Sequence, residues 1–202
     1  MSPKRVASPL LLLAALFLAA PAWADEARLP TDVQPRFEAI RLDLDPAKAD
    51  YTGSVRVDLT VQRPTSTIQF HALGLDLHKV ELAGPGGTRS LAYGPDAQGI
   101  VTAKATDTIA PGDYTLTIDF TNDFDRTAAA LFRLQTGGRW YAYTQFEAID
   151  ARKAFPCWDE PAFKFPWQVT LSIPAGQEAV SNTPIEKDAT DHLVLTRTGL
   201  PS

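Results

Sequence analysis

The sequence predicts an all-β domain, an antiparallel β-sandwich or a saddle of stacked sheets. Two observations carry that expectation. Apolar and polar residues alternate with period two in several runs, and Gly- and Pro-rich turns separate the runs at fairly even spacing. Beyond the first twenty-four residues, no segment shows a long apolar repeat of the helical period.

Those first residues are read apart from the fold. Lys4 and Arg5 precede an unbroken apolar run from Leu10 to Ala20, and Ala22-Trp23-Ala24 forms a small-residue cleavage site before Asp25 and Glu26. This is the pattern of a secretory leader, and the run is shorter than the roughly 20 residues a membrane-spanning helix needs. The expected organisation is a leader over 1–24 and one β domain over 25–202, exported to the periplasm or fully secreted, with no membrane contact after cleavage. Removing the leader takes two basic residues from a chain of net charge −5, leaving −7, which argues against nucleic acid as a partner.

In the first strand-like run, "GSVRVDLTVQ", Val55, Val57, Leu59 and Val61 share one face, while Arg56, Asp58, Thr60 and Gln62 share the other. "STIQFHALGLDLHKVEL" continues the pattern through Ile68 and Phe70, then Leu75, Leu77 and Val80. "GPGG" at 84–87 and "YGPDAQG" at 93–99 read as turns. "DYTLTIDFTND" aligns Tyr114, Leu116, Ile118 and Phe120, and "WQVTLSI" aligns Trp167, Val169, Leu171 and Ile173. "HLVLTRT" is the last strand-like run.

Chemistry is sparse. His71, His78 and His192 form no His-Glu-x-x-His helix and pair with no cysteine at zinc spacing, so no metal is expected on this segment itself. Cys157, the one cysteine, precludes an intrachain disulfide. Lying between Pro156 and Trp158 with Asp159 and Glu160 beyond, it reads as a buried, inert thiol. Asp159-Glu160-Pro161 reads as a turn whose carboxylates cap backbone amides and pair with Arg152 or Lys153. Gln145 and Glu147 alternate with Phe146; in an extended chain they share a face, forming a compact pair able to hold an ammonium group. From the residues alone, an ordinary solvated strand face is the better reading.

The stretch "TQFEAIDARKAFPCWDEPAFKFPWQVTLSIP" resembles the aminopeptidase N family of zinc-dependent gluzincin aminopeptidases. It matches a Gln-x-Glu-Ala strand at Gln145, Glu147 and Ala148. It then matches the run that follows at Ala151, Arg152, Phe155, Pro156, Cys157, Trp158, Asp159, Glu160, Pro161 and Lys164. The Tyr-x-Gly at 51–53, "FHA" at 70–72 and "SNTP" at 181–184 extend the likeness over residues 33–202.

The resemblance implies the N-terminal β domain of such an enzyme. Glu147 is then implied to bind the free α-amine of a peptide substrate and Gln145 to contact the substrate backbone. No catalytic residue lies in this chain by that implication, and zinc belongs to a catalytic domain of the parent enzyme. The chain is therefore expected to be a C-terminally truncated piece, inactive alone, with the peptide N-terminus and its own catalytic domain as partners. The alternative is a free-standing secreted β-sandwich module that captures peptide N-termini, or a partner protein through exposed aromatics such as Trp140 and Tyr141.

Overall fold

The computed structural model describes residues 28–189 and 192–197; the leader assigned to 1–24 and the end of the last strand-like run lie outside them. The strands, in chain order, are β1 (Val33–Asp43), β2 (Asp50–Val61), β3 (Thr65–His71), β4 (Asp76–Gly84), β5 (Gly87–Ser90), β6 (Ala92–Pro95) and β7 (Ile100–Ile109). There follow β8 (Gly112–Asp123), β9 (Ala130–Thr136), β10 (Arg139–Gln145), β11 (Trp167–Ser172), β12 (Ile185–Ala189) and β13 (His192–Arg197). A single 3-10 turn, Ala151–Lys153, is the one helical element among the described residues.

Eight strands form one sheet in the order β12-β13-β11-β1-β2-β8-β4-β5, β3-β7-β6 form a second, and β10-β9 form a two-stranded ribbon. The period-two runs fold as expected. Val55, Val57, Leu59 and Val61 of β2 and Leu116, Ile118 and Phe120 of β8 are buried, with Arg56, Asp58 and Thr117 on the opposite face. Ile68, Phe70, Val101 and Ala103 of the smaller sheet join them in one continuous core.

The turn regions need one adjustment. Gly84 and Gly87 pair across a two-residue hairpin, with Gly87 at φ +92°, a conformation glycine adopts without a Cβ clash. The second turn is shorter than the sequence indicates: Ala92–Pro95 pairs with β7 as β6, and the reversal is confined to 96–99. There Asp96 Oδ1 accepts the amides of Gln98 and Ile100.

One pairing in the large sheet is not antiparallel. β11 runs parallel to β1, with Ile40 opposite Val169 and Leu42 opposite Leu171. Parallel neighbours cannot be joined by a tight hairpin; all of β2–β10 intervenes here, and β11 is entered from β10 through a crossover segment, residues 146–166, that holds no α-helix. That crossover is the segment carrying the aminopeptidase-like motif. It is tethered to the large sheet by Tyr51 of β2, whose hydroxyl donates to Ala154 O at 2.8 Å, and by Asn122 of β8, whose amide donates to Lys153 O at 2.7 Å.

Gly53 makes room for this tether. A Cβ there would lie 2.6 Å from the Phe120 ring and 2.9 Å from Arg41 O, and Phe120 packs edge-on to Tyr51. Gly53→Ala is expected to destabilise the domain by about 2 kcal/mol through overpacking. Equilibrium denaturation checks this, and an unchanged midpoint would show that β2 yields freely.

Candidate functional site

β10 delivers Gln145 to the start of the crossover and ends there. The chain turns at once, with Phe146 O accepting the Asp150 amide at 3.0 Å. The extended geometry read from the sequence therefore stops at Gln145, and Glu147 sits in the turn. The two remain adjacent: the Glu147 amide donates to Gln145 Oε1 at 3.3 Å, and both side chains are exposed. Between them Phe146 packs edge-on against Phe155, at 5.6 Å between ring centroids, which anchors the turn from below. The Glu147–Ala148 peptide is cis.

Most of the rest of the motif is consumed by structure, the exposed Lys164 excepted. Arg152 is buried; its Nε donates to Asp159 Oδ2 at 3.0 Å and its Nη2 to Asp159 O at 2.8 Å, while its own carbonyl accepts the Leu73 amide. Cys157 and His71 exchange backbone hydrogen bonds of 2.8 and 3.0 Å, so the crossover is stitched to the end of β3. The Asp159 amide donates to His71 Nδ1 at 3.2 Å, and Glu160 Oε1 accepts the Leu29 amide at 2.7 Å. Trp158 is buried against Phe70. The turn-capping role read for Asp159 and Glu160 is thus the one they play, with Arg152 as the cationic partner and Lys153 paired instead with Asp150 at 2.7 Å.

Burial sets the protonation of this junction. His71 is pushed down to about 4, by desolvation first and then by the Arg152 charge, so it is neutral and its Nδ1 accepts. Cys157 is raised well above the usual thiol range by burial and then by Glu38, which makes it inert as a nucleophile. His78 is a surface residue bonded to Thr121. Glu38, which the sequence reading passed over, is 4 % exposed, leaves Oε1 without a partner, and is raised to about 8 by burial and then by Asp159. Its signal was available: after the irregularity between Pro35 and Phe37, residues 38, 40 and 42 all face inward.

Among the described residues, no three His, Cys, Asp or Glu side chains are grouped to hold a metal ion, so these residues do not fit a zinc centre. Two surface hollows, one lined by Leu73, Asn122, Arg126 and Lys153 and the other by Arg41, Arg56 and Asp119, include neither Gln145 nor Glu147. The surface near the pair is instead aromatic. Tyr141 and Tyr143 are exposed, whereas Trp140 is half-buried beneath the Arg133 guanidinium at 4.3 Å. Of the two aromatics proposed from sequence as a contact surface, Tyr141 alone faces outward.

Residues 34–196 match the family model described as the peptidase M1 N-terminal domain. The chain is 30 % identical over 198 residues to aminopeptidase M1-A of rice, covering 90 % of this chain and 22 % of that protein. It is 33 % identical to rice aminopeptidase M1-B, covering 81 % and 19 %. It is also 30 % identical to an aminopeptidase N of Acetobacter pasteurianus, covering 86 % and 52 %. The chain thus spans about a fifth of the length of the plant relatives and about half that of the bacterial one.

Glu38 and His71 set opposing pH dependences. Glu38, raised from 4.5 to about 8, contributes stability that is full below pH 4.5 and lost as pH rises to 8, at about 1.4 kcal/mol per unit. His71, lowered from 6.5 to about 4, contributes stability that is full above pH 6.5 and lost as pH falls toward 4. The two slopes offset between 4.5 and 6.5, and Glu38 acts alone from 6.5 to 8. Glu38→Gln is therefore expected to remove the decline between pH 6.5 and 8 and to be the more stable form at pH 8. Urea denaturation across that range measures it; parallel curves for both proteins would mean that Glu38 is already ionised in the fold.

Proposed function

The chain belongs to the family of peptidase M1 N-terminal domains, and from that premise we propose that it is the substrate-amine-recognition domain of an exported zinc aminopeptidase. One observation supports this assignment of roles. Most of the motif's other polar groups are tied into the fold, Arg152 to Asp159, Asp150 to Lys153 and Glu160 to Leu29, while Gln145, Glu147 and the cationic Lys164 stay at the surface, and of these Glu147 alone carries a negative charge. The Glu147 carboxylate makes no hydrogen bond or ion pair among the described residues, so it is free for a ligand.

A carboxylate here recognises a peptide's α-ammonium through charge-assisted hydrogen bonds, each roughly twice as strong as a neutral one. An internal peptide amide offers no ammonium and would leave the carboxylate unmatched, which makes the site selective for chain ends. Gln145 has a complementary part. Its Oε1 is already engaged by the Glu147 amide, so its NH2 group is the one left to donate to the first substrate carbonyl. In this reading zinc and the hydrolytic step belong to a catalytic domain of a parent chain, and residues 1–24 are the leader that directs export.

Residues 25–202 are expected to bind leucinamide, followed by NMR shift changes around 145–149, and to ignore its N-acetyl analogue. Glu147→Gln should weaken that binding about tenfold or more, in line with a lost hydrogen bond to a charged group. Equal binding of the two compounds would sink the assignment. Expressed with its own leader, the exported product is expected to begin at Asp25 by intact mass and, given zinc, to turn over no aminoacyl chromogenic substrate beyond a Glu147→Ala control. Turnover above that control would contradict the division of labour.

A further inference from the structure

The two faces of the β9–β10 ribbon differ. On the inner face Leu131 is buried, and the Arg133 guanidinium lies over the Trp140 ring while donating to Pro46 O at 3.0 Å and to Lys48 O. On the outer face antiparallel pairing sets Tyr143 opposite Phe132 and Tyr141 opposite Leu134. Phe132 and Tyr143 stack at 5.7 Å, and Tyr141 and Tyr143 lie 6.5 Å apart. Leu134, Tyr141 and Tyr143 are 41 %, 39 % and 45 % exposed, so the strip has no cover among the described residues. A contiguous aromatic surface of this kind marks an interaction site rather than ordinary surface scatter.

Alternation places Gln145 on the same outer face, opposite Ala130, and Glu147 follows within reach of its amide. The strip therefore runs directly into the amine-binding pair. At its far end the same face carries Arg139. The ribbon is only two strands wide among the described residues, so the outer edge of β10 also has unpaired backbone groups.

We propose that this strip is a track for the leading residues of an extended peptide, selecting apolar side chains at its first and third positions. The inference rests on the amine reading above and adds the substrate class. Three features favour a peptide as the occupant. The track is continuous with the group that would hold its amine. Alternate residues repeat at about 6.6 Å along both β10 and an extended peptide, so alternate side chains fall on successive rings. The ends of the track carry opposite charge, a carboxylate at Glu147 and a guanidinium at Arg139, which orients the amine toward Glu147. Backbone pairing along β10 supplies sequence-independent affinity, and the tyrosines supply discrimination at low entropic cost.

The test uses residues 25–202 and three pentapeptides, measured by calorimetry or NMR titration: one with Phe first and Leu third, the same peptide N-acetylated, and a free-amine peptide with Ser at both positions. The Phe/Leu peptide is expected to bind about tenfold tighter than the Ser peptide. The double variant Tyr141→Ser with Tyr143→Ser should remove that difference; Leu134→Ser, checked by its unfolding curve, serves if the double variant is misfolded. Glu147→Gln should weaken both free-amine peptides alike. Amine-dependent binding without side-chain preference would overturn the track and leave the amine reading standing. Equal binding of the acetylated peptide, or no binding of any, would overturn both. Self-association of the wild type that the Tyr variants abolish would assign the strip to a second copy and overturn the track.

Discussion

The buried ion pair between Arg152 and Asp159 fixes the path of the chain between β10 and β11, and most of the domain's particular features depend on that path. A guanidinium taken out of water is tolerable only when matched, and Arg152 is matched by the Asp159 side chain and the Asp159 carbonyl. Replacing such a pair by apolar residues often costs nothing, so its value here is not net stability. Its value is that few other routes for the crossover keep both charges satisfied. With Arg152 and Asp159 fixed, Cys157 meets His71, Glu160 meets Leu29, and β11 emerges beside β1.

The parallel β1–β11 pair follows from this crossover and explains which parts of the fold were legible. Strands such as β2 and β8, with one face in the core and one in water, carry a period-two signature that needs no context. β5, β6 and β9 do not: they are short, largely exposed, or defined by the strand they pair with rather than by their own pattern. β11 was visible as a strand because of its alternation. Its direction relative to β1 was not, since a strand's pattern is the same read against a parallel or an antiparallel neighbour.

The site was legible to a similar degree and for a related reason. The consumed groups could be read from local chemistry, because acidic residues before a proline naturally cap and pair. Gln145 and Glu147 were legible as an adjacent polar pair, but the turn at Glu147 was not, since nothing in "TQFEAID" marks the point where β10 ends. Trp140 was misplaced because the sequence does not reveal that Arg133, a diagonal neighbour on the inner face, covers its ring. Tyr51 and His71 belong to the same class. They were noticed inside a familiar pattern, yet what they hold, Ala154 O and the Asp159 amide, lies 103 and 88 residues away in the chain.

The thiol of Cys157 gives this junction a chemical voice. It is the one cysteine in the chain, it is buried, and its backbone is paired to His71 while its pKa is held well above that of a free thiol. A thiol reagent can reach it only in molecules where the crossover has lifted from β3. The labelling rate of the native protein is therefore a count of those openings. The segment that presents Gln145 and Glu147 thus carries its own reporter of how often it lets go.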